Sequence, residues 1–411
     1  MQHSSGLPKH MQRFRPPIGG SNRRNELKKP FGFGSKHRIN LDFNPSCWSD
    51  YFTSKKDIAI NDNDVFRIYF NQTETDLDTK MLVLLHGGGF SGLTWALFAK
   101  NLVGLCHINI MAIDIRGHGS SKTSEDSDLS VQTIVNDITE ILKNVFQSSM
   151  PELILMGHSM GGALATHFVD KCSDEWLRNR VIGLIVIDVV EGTAKDSLSQ
   201  MQQVLHARPN GFRSVQHAIE WCIKSGQVKN LEAAKISMIG QISHKKNGIC
   251  AVDMAETEIQ EIDEKNDHNQ KLSRETSFGL TILDENSVAE NGNHRTLSDS
   301  THNQTSNEFV WRIDLSKTEP YWMEWFTGLN QVFLSSKGGA KLLILAGVDR
   351  LDGPMTVGQM QGKFQMQILP KVGHVIQEDD PDSVAQIVAH YLVRNRFSKA
   401  KIELDHFFPS C

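Results

Sequence analysis

A serine between two glycines is the side chain of this sequence best placed to do chemistry. The segment Gly-His-Ser-Met-Gly occupies residues 157–161, directly after the apolar run 153–156. A buried strand, a tight turn and a small-residue helix in this order form the bend that exposes a serine hydroxyl at the end of a parallel sheet. Glycines flank the serine because the strand and the helix pass too close for side chains. The spacing therefore predicts that Ser159 is a nucleophile, in preference to an ordinary glycine-rich turn.

A serine nucleophile needs a base within hydrogen-bond reach and a third group that orients the base. Among the 17 histidines, His374 alone follows the last buried strand and precedes the closing helix, so it is the predicted base. Two aspartates could orient it, Asp188 after one buried strand and Asp349 after the next. Both lie between Ser159 and His374, which is the chain order Ser–acid–His that this arrangement requires. Neither the chain order nor the position at the end of a strand distinguishes Asp188 from Asp349. The residues alone favour Asp349, because the acid commonly follows the penultimate strand in this arrangement.

An ester carbonyl under attack also needs backbone N–H groups that face its developing negative charge. Met160 follows the nucleophile and supplies one of them. The segment His-Gly-Gly-Gly at residues 86–89 follows the first buried strand, and Gly88 is its predicted donor. Each such donor contributes roughly 3–4 kcal/mol to the rate. This chemistry requires no metal and no cofactor.

Six continuous apolar runs predict the strands that position these residues. Helical patterns separate the runs, and a hairpin at residues 58–60 and 65–70 precedes them. Strands that alternate with helices form a parallel sheet covered on both faces. The predicted fold class is therefore α/β, with a mostly parallel central sheet. The runs are Met81 to Leu85, Ile108 to Ile113, Leu153 to Met156, Ile182 to Ile187, Leu342 to Leu345 and Phe364 to Leu369.

The chain is predicted to divide into a core in two parts and a long insertion. Residues 1–45 are a basic arm without apolar periodicity, and residues 398–411 are a tail. The core comprises residues 46–190 and 341–397. Residues 191–340 form a helical lid after the sixth strand, with three helices over 193–242 and an aromatic-rich helix from Tyr321 to about Leu334, whose aromatic side chains are expected to be lid core. Between them, about 243–307, the sequence is polar and acidic and predicts a disordered loop.

Composition limits the classes of partner and compartment. A formal net charge of −5 favours neither nucleic acid nor a membrane surface. No apolar run approaches the ~20 residues of a membrane span, and the first residues lack the apolar segment of a secretory signal. The six cysteines are scattered, which is typical of reduced thiols inside a cell. The expected location is the cytoplasm, the nucleus or both.

Four features together resemble the α/β-hydrolase superfamily: the serine turn, the glycine loop, the segment 114–121 and the terminal Gly-His. Longer stretches resemble one of its families, the protein phosphatase methylesterases. These stretches are residues 157–163, 187–194, 346–352 and 358–367, and the resemblance spans about residues 45–397. The family removes the methyl ester from the C-terminal leucine carboxylate of the type 2A protein phosphatase catalytic subunit. The resemblance implies that this phosphatase subunit is both substrate and binding partner.

The resemblance also revises the choice of acid. The family's catalytic aspartate lies in the segment Ile-Asp-Val-Val-Glu-Gly, which implies Asp188 here and leaves Asp349 as the second candidate. His118 lies in a loop that many α/β-hydrolases carry for structural reasons, so it is not part of the expected catalytic set. The implied mechanism is a Ser-His-Asp acyl-enzyme reaction through Ser159 and His374. In the free enzyme the hydrogen bonds of such a triad are often long, and they shorten when the substrate binds.

Three further hypotheses concern partners and alternatives. Residues 259–264 and 280–285 each fit an apolar-x-x-apolar-x-acid pattern that resembles docking motifs for phosphatase regulatory subunits. A second enzyme class is a small-molecule carboxylesterase or lipase-like hydrolase, whose lid would cover an apolar acyl pocket. A third possibility is a non-catalytic scaffold that only sequesters a phosphatase. The complete set of serine, acid, histidine and glycine loop argues against the scaffold.

Overall fold

The computed structural model describes residues 41–72, 79–256, 307–336 and 339–404. Eight strands of these ranges form one sheet in the order β1-β2-β4-β3-β5-β6-β9-β10, and β7 pairs with β8 in a separate two-stranded sheet. The strands are β1 Ser54–Ala59, β2 Val65–Asn71, β3 Met81–Leu85, β4 Asn109–Ile113, β5 Leu153–His158, β6 Val181–Ile187, β7 Ile242–His244, β8 Phe309–Trp311, β9 Ala340–Leu345 and β10 Gln365–Ile368. This arrangement confirms the predicted α/β class.

Among the described strands of the large sheet, only β2 runs opposite to the others. β1 and β2 form the predicted antiparallel hairpin, and β2 is also antiparallel to β4. From β4 to β10 every neighbouring pair is parallel. The carboxyl ends of β3, β5, β6 and β9 therefore meet at the same edge, where the residues after each strand can converge.

Helices cover both faces of this sheet. Successive side chains of β3 alternate between two apolar clusters, with Leu82 and Leu84 in one and Val83 and Leu85 in the other. Helices on both faces explain why the parallel strands read as unbroken apolar runs. None of the described helices is long and apolar enough to cross a membrane. The helices are α1 Ala96–Leu105, α2 Val131–Phe146, α3 Met160–Lys171, α4 Glu175–Arg178, α5 Glu191–His206, α6 Val215–Ser225, α7 Leu231–Ser237, α8 Glu319–Phe326, α9 Leu329–Ser335, α10 Gly353–Met360, α11 Ile376–Asp379 and α12 Pro381–Arg394.

The aromatic-rich segment of the insertion forms two helices where the sequence predicted one. α8 ends at Phe326 and α9 begins at Leu329. Between them, Thr327 is extended and Gly328 has a φ of 76°. That left-handed conformation suits glycine and breaks a continuous helix. Periodicity alone missed the break because apolar residues continue on both sides of it.

The sequence predicts a disordered loop from about residue 243 to 307, but ordered structure continues to residue 256. β7 and β8 pair at its two ends, and residues 251–256 are helical. Cys250, Ala251 and Val252 are buried there, so this short apolar group anchors a stretch that otherwise reads as polar. Residues 257–306 lie outside the described ranges, and so do the two segments with the docking pattern, 259–264 and 280–285.

The predicted tail, residues 398–411, also begins inside the ordered core. The His107 N–H donates to Lys399 O at 2.9 Å, and the Lys401 N–H donates to Leu105 O at 2.8 Å. These bonds attach the start of the tail to the end of α1. Residues 1–40 and 405–411 are outside the described ranges, so the arm and the end of the tail stay predictions, as do the exact boundaries of core and lid.

α8 fastens the insertion to the core through its aromatic side chains. Trp322, Trp325 and Phe326 are buried in the cluster that also contains residues of α2 and α3. The Trp325 indole N–H donates to Leu129 O at 2.8 Å, and the His167 ring donates to Trp325 O at 3.0 Å. As expected from the sequence, these aromatics are packing residues.

Trp325→Ala should therefore lower the free energy of unfolding by about 3–5 kcal/mol, because it removes a large buried side chain. Met323, on the same helix, is 53% exposed, and Met323→Ala should change the stability by less than about 0.5 kcal/mol. Urea denaturation followed by circular dichroism measures both. Equal losses in the two variants would contradict an anchoring role for Trp325.

Candidate active site

The serine predicted as nucleophile lies at the turn between β5 and α3. Ser159 has a φ of 52°, a left-handed conformation that non-glycine residues rarely adopt. A β-carbon at Gly157 would lie 2.1 Å from Gly161 O, and one at Gly161 would lie 2.2 Å from Leu85 O. Only glycine fits at these two positions, because strand and helix approach each other too closely. The turn therefore has the strained geometry that exposes a serine hydroxyl.

Asp188 and His374 are brought together at the same edge of the sheet. The His374 Nδ1–H donates to Asp188 Oδ2 at 2.7 Å. Asp188 follows β6, and its other oxygen, Oδ1, accepts the Ala346 N–H at 3.1 Å. The Asp188 carboxylate is fully buried, whereas the His374 ring is 47% exposed. The pair thus presents the outer nitrogen of an oriented imidazole to the surface of the site.

The environment of Asp188 keeps its carboxylate charged. Burial alone would raise the pKa of Asp188, but the hydrogen bond from His374 and the Ala346 N–H outweigh it. The pKa of Asp188 therefore lies below its ordinary value of 3.8. A carboxylate can only accept hydrogen bonds, so it fixes the proton of His374 on Nδ1. The outer nitrogen, Nε2, is then free to accept a proton from a nucleophile.

Asp349, the acid favoured by position alone, makes no hydrogen bond or ion pair with His374 in the described structure. It is exposed and lies in a short 3₁₀ turn, Val348–Arg350, after β9. The neighbouring Arg350 places Nη1 3.4 Å from Asp188 Oδ2 and adds positive charge beside that carboxylate. Sequence reasoning missed this role of Arg350. Its only signal in the sequence was its position directly after Asp349, the second candidate for the acid.

Ser159 and His374 lie on segments that are linked to each other, but their side chains are not joined by a hydrogen bond in the described structure. The link is made one residue earlier, where the His158 Nε2–H donates to His374 O at 2.8 Å. The rings of His158 and His374 lie 4.7 Å apart. The imidazole of His374 can therefore approach the serine by a side-chain movement while its backbone stays fixed.

The glycine loop after β3 borders the start of α3. A β-carbon at Gly88 would lie 3.8 Å from Met160 Sδ, so the two predicted N–H donors belong to adjoining segments. The Gly89 N–H is already used, because it donates to His118 Nε2 at 2.9 Å. This leaves the Gly88 N–H as the better donor of the loop. His118, set aside at the sequence level, holds the loop in place.

Three buried histidines near the serine are neutral structural groups. Burial lowers the pKa of His118 to about 4 and that of His158 to about 3, and it lowers the pKa of His86 as well. His86 donates to Gly87 O and accepts the Ile115 N–H. Each ring therefore fixes a neighbouring loop by hydrogen bonds. Across the described ranges, no three His, Cys, Asp or Glu side chains are grouped to hold a metal ion.

A buried carboxyl group lies in the short helix that follows His374. Glu378 is fully buried and is hydrogen-bonded by the hydroxyl groups of Thr94 and Ser237. Burial raises the pKa of Glu378 to about 8. The side chain is therefore a neutral acid below about pH 8, and it joins the His374 loop to helix α7 and to the turn before α1.

Comparison with known proteins gives the same fold class. The model of the alpha/beta hydrolase family matches residues 82–228. Among solved structures, the M. tuberculosis esterase aligns over 83% of this chain and 92% of its own, with 17% identity and a TM-score of 0.51. A peroxisomal alpha-beta-hydrolase from Saccharomyces cerevisiae aligns over 86% and 88%, with 13% identity and a TM-score of 0.52. At these identities the likeness concerns the fold alone.

Curated relatives are much more similar in sequence. Protein phosphatase methylesterase 1 of Homo sapiens and that of Mus musculus are each 40% identical over 401 residues, which is 97% of this chain and 96% of theirs. The probable protein phosphatase methylesterase 1 of Caenorhabditis elegans is 41% identical over 86% of this chain and 79% of its own. The likeness therefore includes both parts of the core and the insertion.

The raised pKa of Glu378 has a measurable effect on stability. Between its ordinary value of 4.5 and its folded value of about 8, the folded protein binds one more proton than the unfolded chain. The free energy of unfolding should then fall as the pH rises from about 5 to 8, by up to ~1.4 kcal/mol per pH unit. Glu378→Gln cannot ionise and should remove this slope. Urea denaturation at pH 5.5 and pH 8 compares the two proteins, and equal slopes would contradict the assignment.

Proposed function

The chain belongs to the protein phosphatase methylesterase family, and we propose that it removes the methyl ester from the C-terminal leucine of the type 2A protein phosphatase catalytic subunit. It is a carboxylic ester hydrolase with the α/β-hydrolase fold. The observation that carries the proposal for the site is the 2.7 Å hydrogen bond between His374 and Asp188 at the edge of the sheet where Ser159 turns. This substrate is proposed because the relatives are named protein phosphatase methylesterases.

In the proposed first half-reaction, His374 Nε2 removes the proton of the Ser159 hydroxyl while Oγ attacks the ester carbonyl carbon. The carbonyl oxygen becomes negatively charged and is stabilised by the N–H groups of Gly88 and Met160. When the bond from carbon to the methoxy oxygen breaks, His374 gives the proton to that oxygen and methanol leaves. Asp188 stabilises the imidazolium that forms in between. The product of this half-reaction is an acyl-enzyme on Ser159.

In the second half-reaction, water attacks the acyl carbon and gives a proton to His374. The bond to Ser159 Oγ breaks, the serine recovers its proton, and the free leucine carboxylate is released. For both steps, His374 has to move its ring toward Ser159, because their side chains are not hydrogen-bonded in this structure. Binding of the substrate supplies the free energy for this adjustment. No step needs a metal or a cofactor.

The proposed protein substrate fits the organisation of the chain. We assign residues 46–190 and 341–397 to the core and residues 191–340 to the lid, with the phosphatase subunit as substrate and partner in the cytoplasm or nucleus. Docking of regulatory subunits on residues 259–264 and 280–285 stays a prediction. A lipase-like activity on small esters is the second candidate function. A non-catalytic scaffold that sequesters the phosphatase is the third candidate, and detection of ester hydrolysis would exclude it.

The catalytic roles predict a clear order among variants. Ser159→Ala should lower kcat about 10⁶-fold because it removes the nucleophile. Asp188→Asn should lower kcat about 10⁴-fold, because an amide favours the wrong proton position on His374. Asp349→Asn is the matched control and should keep nearly normal turnover, since Asp349 is exposed and makes no hydrogen bond or ion pair with His374 in the described structure. Methanol release from the methylated phosphatase measures all three. A larger loss for Asp349→Asn than for Asp188→Asn would reverse the assignment of the acid.

The proposed substrate predicts a strong preference for protein over small esters. The wild-type enzyme should demethylate the methylated phosphatase core enzyme with a kcat/KM at least about 100-fold above that for a generic aryl ester, since remote contacts contribute binding energy in the transition state. Mass spectrometry of the phosphatase C-terminus and absorbance of the aryl product measure the two rates. A preference for the aryl ester would favour the lipase-like candidate. Binding of the phosphatase without hydrolysis of either ester would favour the scaffold.

A further inference from the structure

A cavity of about 460 Å³ opens between two segments of the lid. One wall is the end of α5 with the turn that follows it, and the other runs from β8 to the start of α8. Arg208 and Trp311 face each other in this cavity, and Leu315 forms the side toward the core. The mechanism described above uses none of these three residues.

The cavity adjoins the glycine loop that faces the ester. A β-carbon at Gly88 would lie 3.7 Å from Leu315 Cδ2. One at Gly89 would lie 2.8 Å from Leu315 Cδ1 and 3.6 Å from Arg208 Nη1. Gly88 is the proposed donor to the ester carbonyl. A substrate whose carbonyl binds there thus has its acyl part next to the mouth of the cavity.

Arg208 is oriented in this cavity but is not neutralised. Its guanidinium carbon lies 4.7 Å above the centre of the Trp311 ring. Trp311 is itself fixed, because its indole N–H donates to Pro209 O at 2.8 Å and its ring packs against Phe212 and Trp221. Within the described ranges, the Arg208 side chain makes neither an ion pair nor a hydrogen bond. Burial lowers the pKa of Arg208, yet arginine remains protonated in proteins.

Acidic side chains of the cavity are engaged elsewhere. Asp314 accepts hydrogen bonds from the backbone and hydroxyl of Ser316. Glu319 accepts a hydrogen bond from the Gln202 amide. The Arg208 side chain is half-buried, and a stacked guanidinium keeps its N–H edges available for a planar anion. The Arg208 guanidinium is therefore available to form a salt bridge with an anionic group of a ligand.

We propose that this cavity is a specificity subsite in which Arg208 binds an acidic side chain of the substrate, upstream of its C-terminal methyl ester. The inference rests on the proposed function, since it names a further feature of the same substrate. An extended chain advances about 3.3–3.6 Å per residue, and Arg208 lies beside the glycine loop, so the acid lies roughly one to three residues before the esterified residue. The recognised group is a carboxylate on an extended peptide, and the esterified carboxyl group itself is uncharged.

Peptides with a C-terminal leucine methyl ester test this subsite directly. Each peptide carries one glutamate at the second, third or fourth position from its C-terminus, with the esterified leucine counted as the first. Its partner peptide carries glutamine at the same position. The wild-type enzyme should prefer glutamate at one of these places by about tenfold or more in kcat/KM, mostly through KM, because a charge-assisted hydrogen bond is gained. Arg208→Gln should abolish the preference. Arg208→Lys should keep part of it, since the charge remains without the planar fork.

Arg213→Gln is the matched control, because Arg213 is an exposed arginine five residues further along the lid, and it should keep the full preference. Circular dichroism and the thermal midpoint establish that Arg208→Gln is folded. Equal rates on glutamate and glutamine peptides in the wild type would overturn the subsite, and so would an unchanged preference in Arg208→Gln. Rapid hydrolysis of both peptides without preference leaves the proposed function intact. Hydrolysis of an aryl ester but of neither peptide nor phosphatase would refute that function first.

Discussion

The hydrogen bond between His374 and Asp188 is the interaction on which the candidate site depends, because it joins two loops 186 residues apart in the chain. It requires an ionised carboxylate in a buried place. The sheet meets this requirement by pointing the Ala346 N–H at the carboxylate and by holding the Asp188 backbone against Ile344 O. Asp188 has a φ of 50°, so its backbone strain is offset by contacts on both sides. Ser159 shares this left-handed conformation, and both strained residues lie where strands end.

The sequence was sufficient to predict the fold and to propose Ser159 and His374 as candidate catalytic residues. Parallel strands covered on both faces are apolar throughout, and the close approach of strand and helix admits only glycine at positions 157 and 161, so these features leave plain signals. The sequence signal for the acid that orients His374 is weaker. Asp188 and Asp349 both follow neighbouring strands, and only the three-dimensional structure shows that the hydrogen bond to His374 is made by Asp188. A resemblance to a family was needed to choose between them before the structure.

The rest of the site could not be read from the sequence, because it depends on contacts between distant segments. His158 stabilises the His374 loop through a backbone carbonyl, and any residue type can supply such an acceptor. Arg208 and Trp311 meet across an insertion whose path the sequence does not specify. Boundaries failed for a related reason. Gly328 divides an apolar stretch, and Cys250 anchors a polar one, and in both places tertiary packing overrides local composition.

The pairing of β7 with β8 has a consequence for how this family can diverge. The Lys245 N–H donates to Glu308 O at 2.8 Å, so the backbone departs from the lid and rejoins it at one hydrogen-bonded step. Closing a longer connection between two such neighbouring points costs little additional entropy. Insertions, deletions or a grafted reporter domain beyond residue 256, and so outside the buried group at residues 250–252, should thus be tolerated by the hydrolase, and natural variation in chain length is expected to accumulate there.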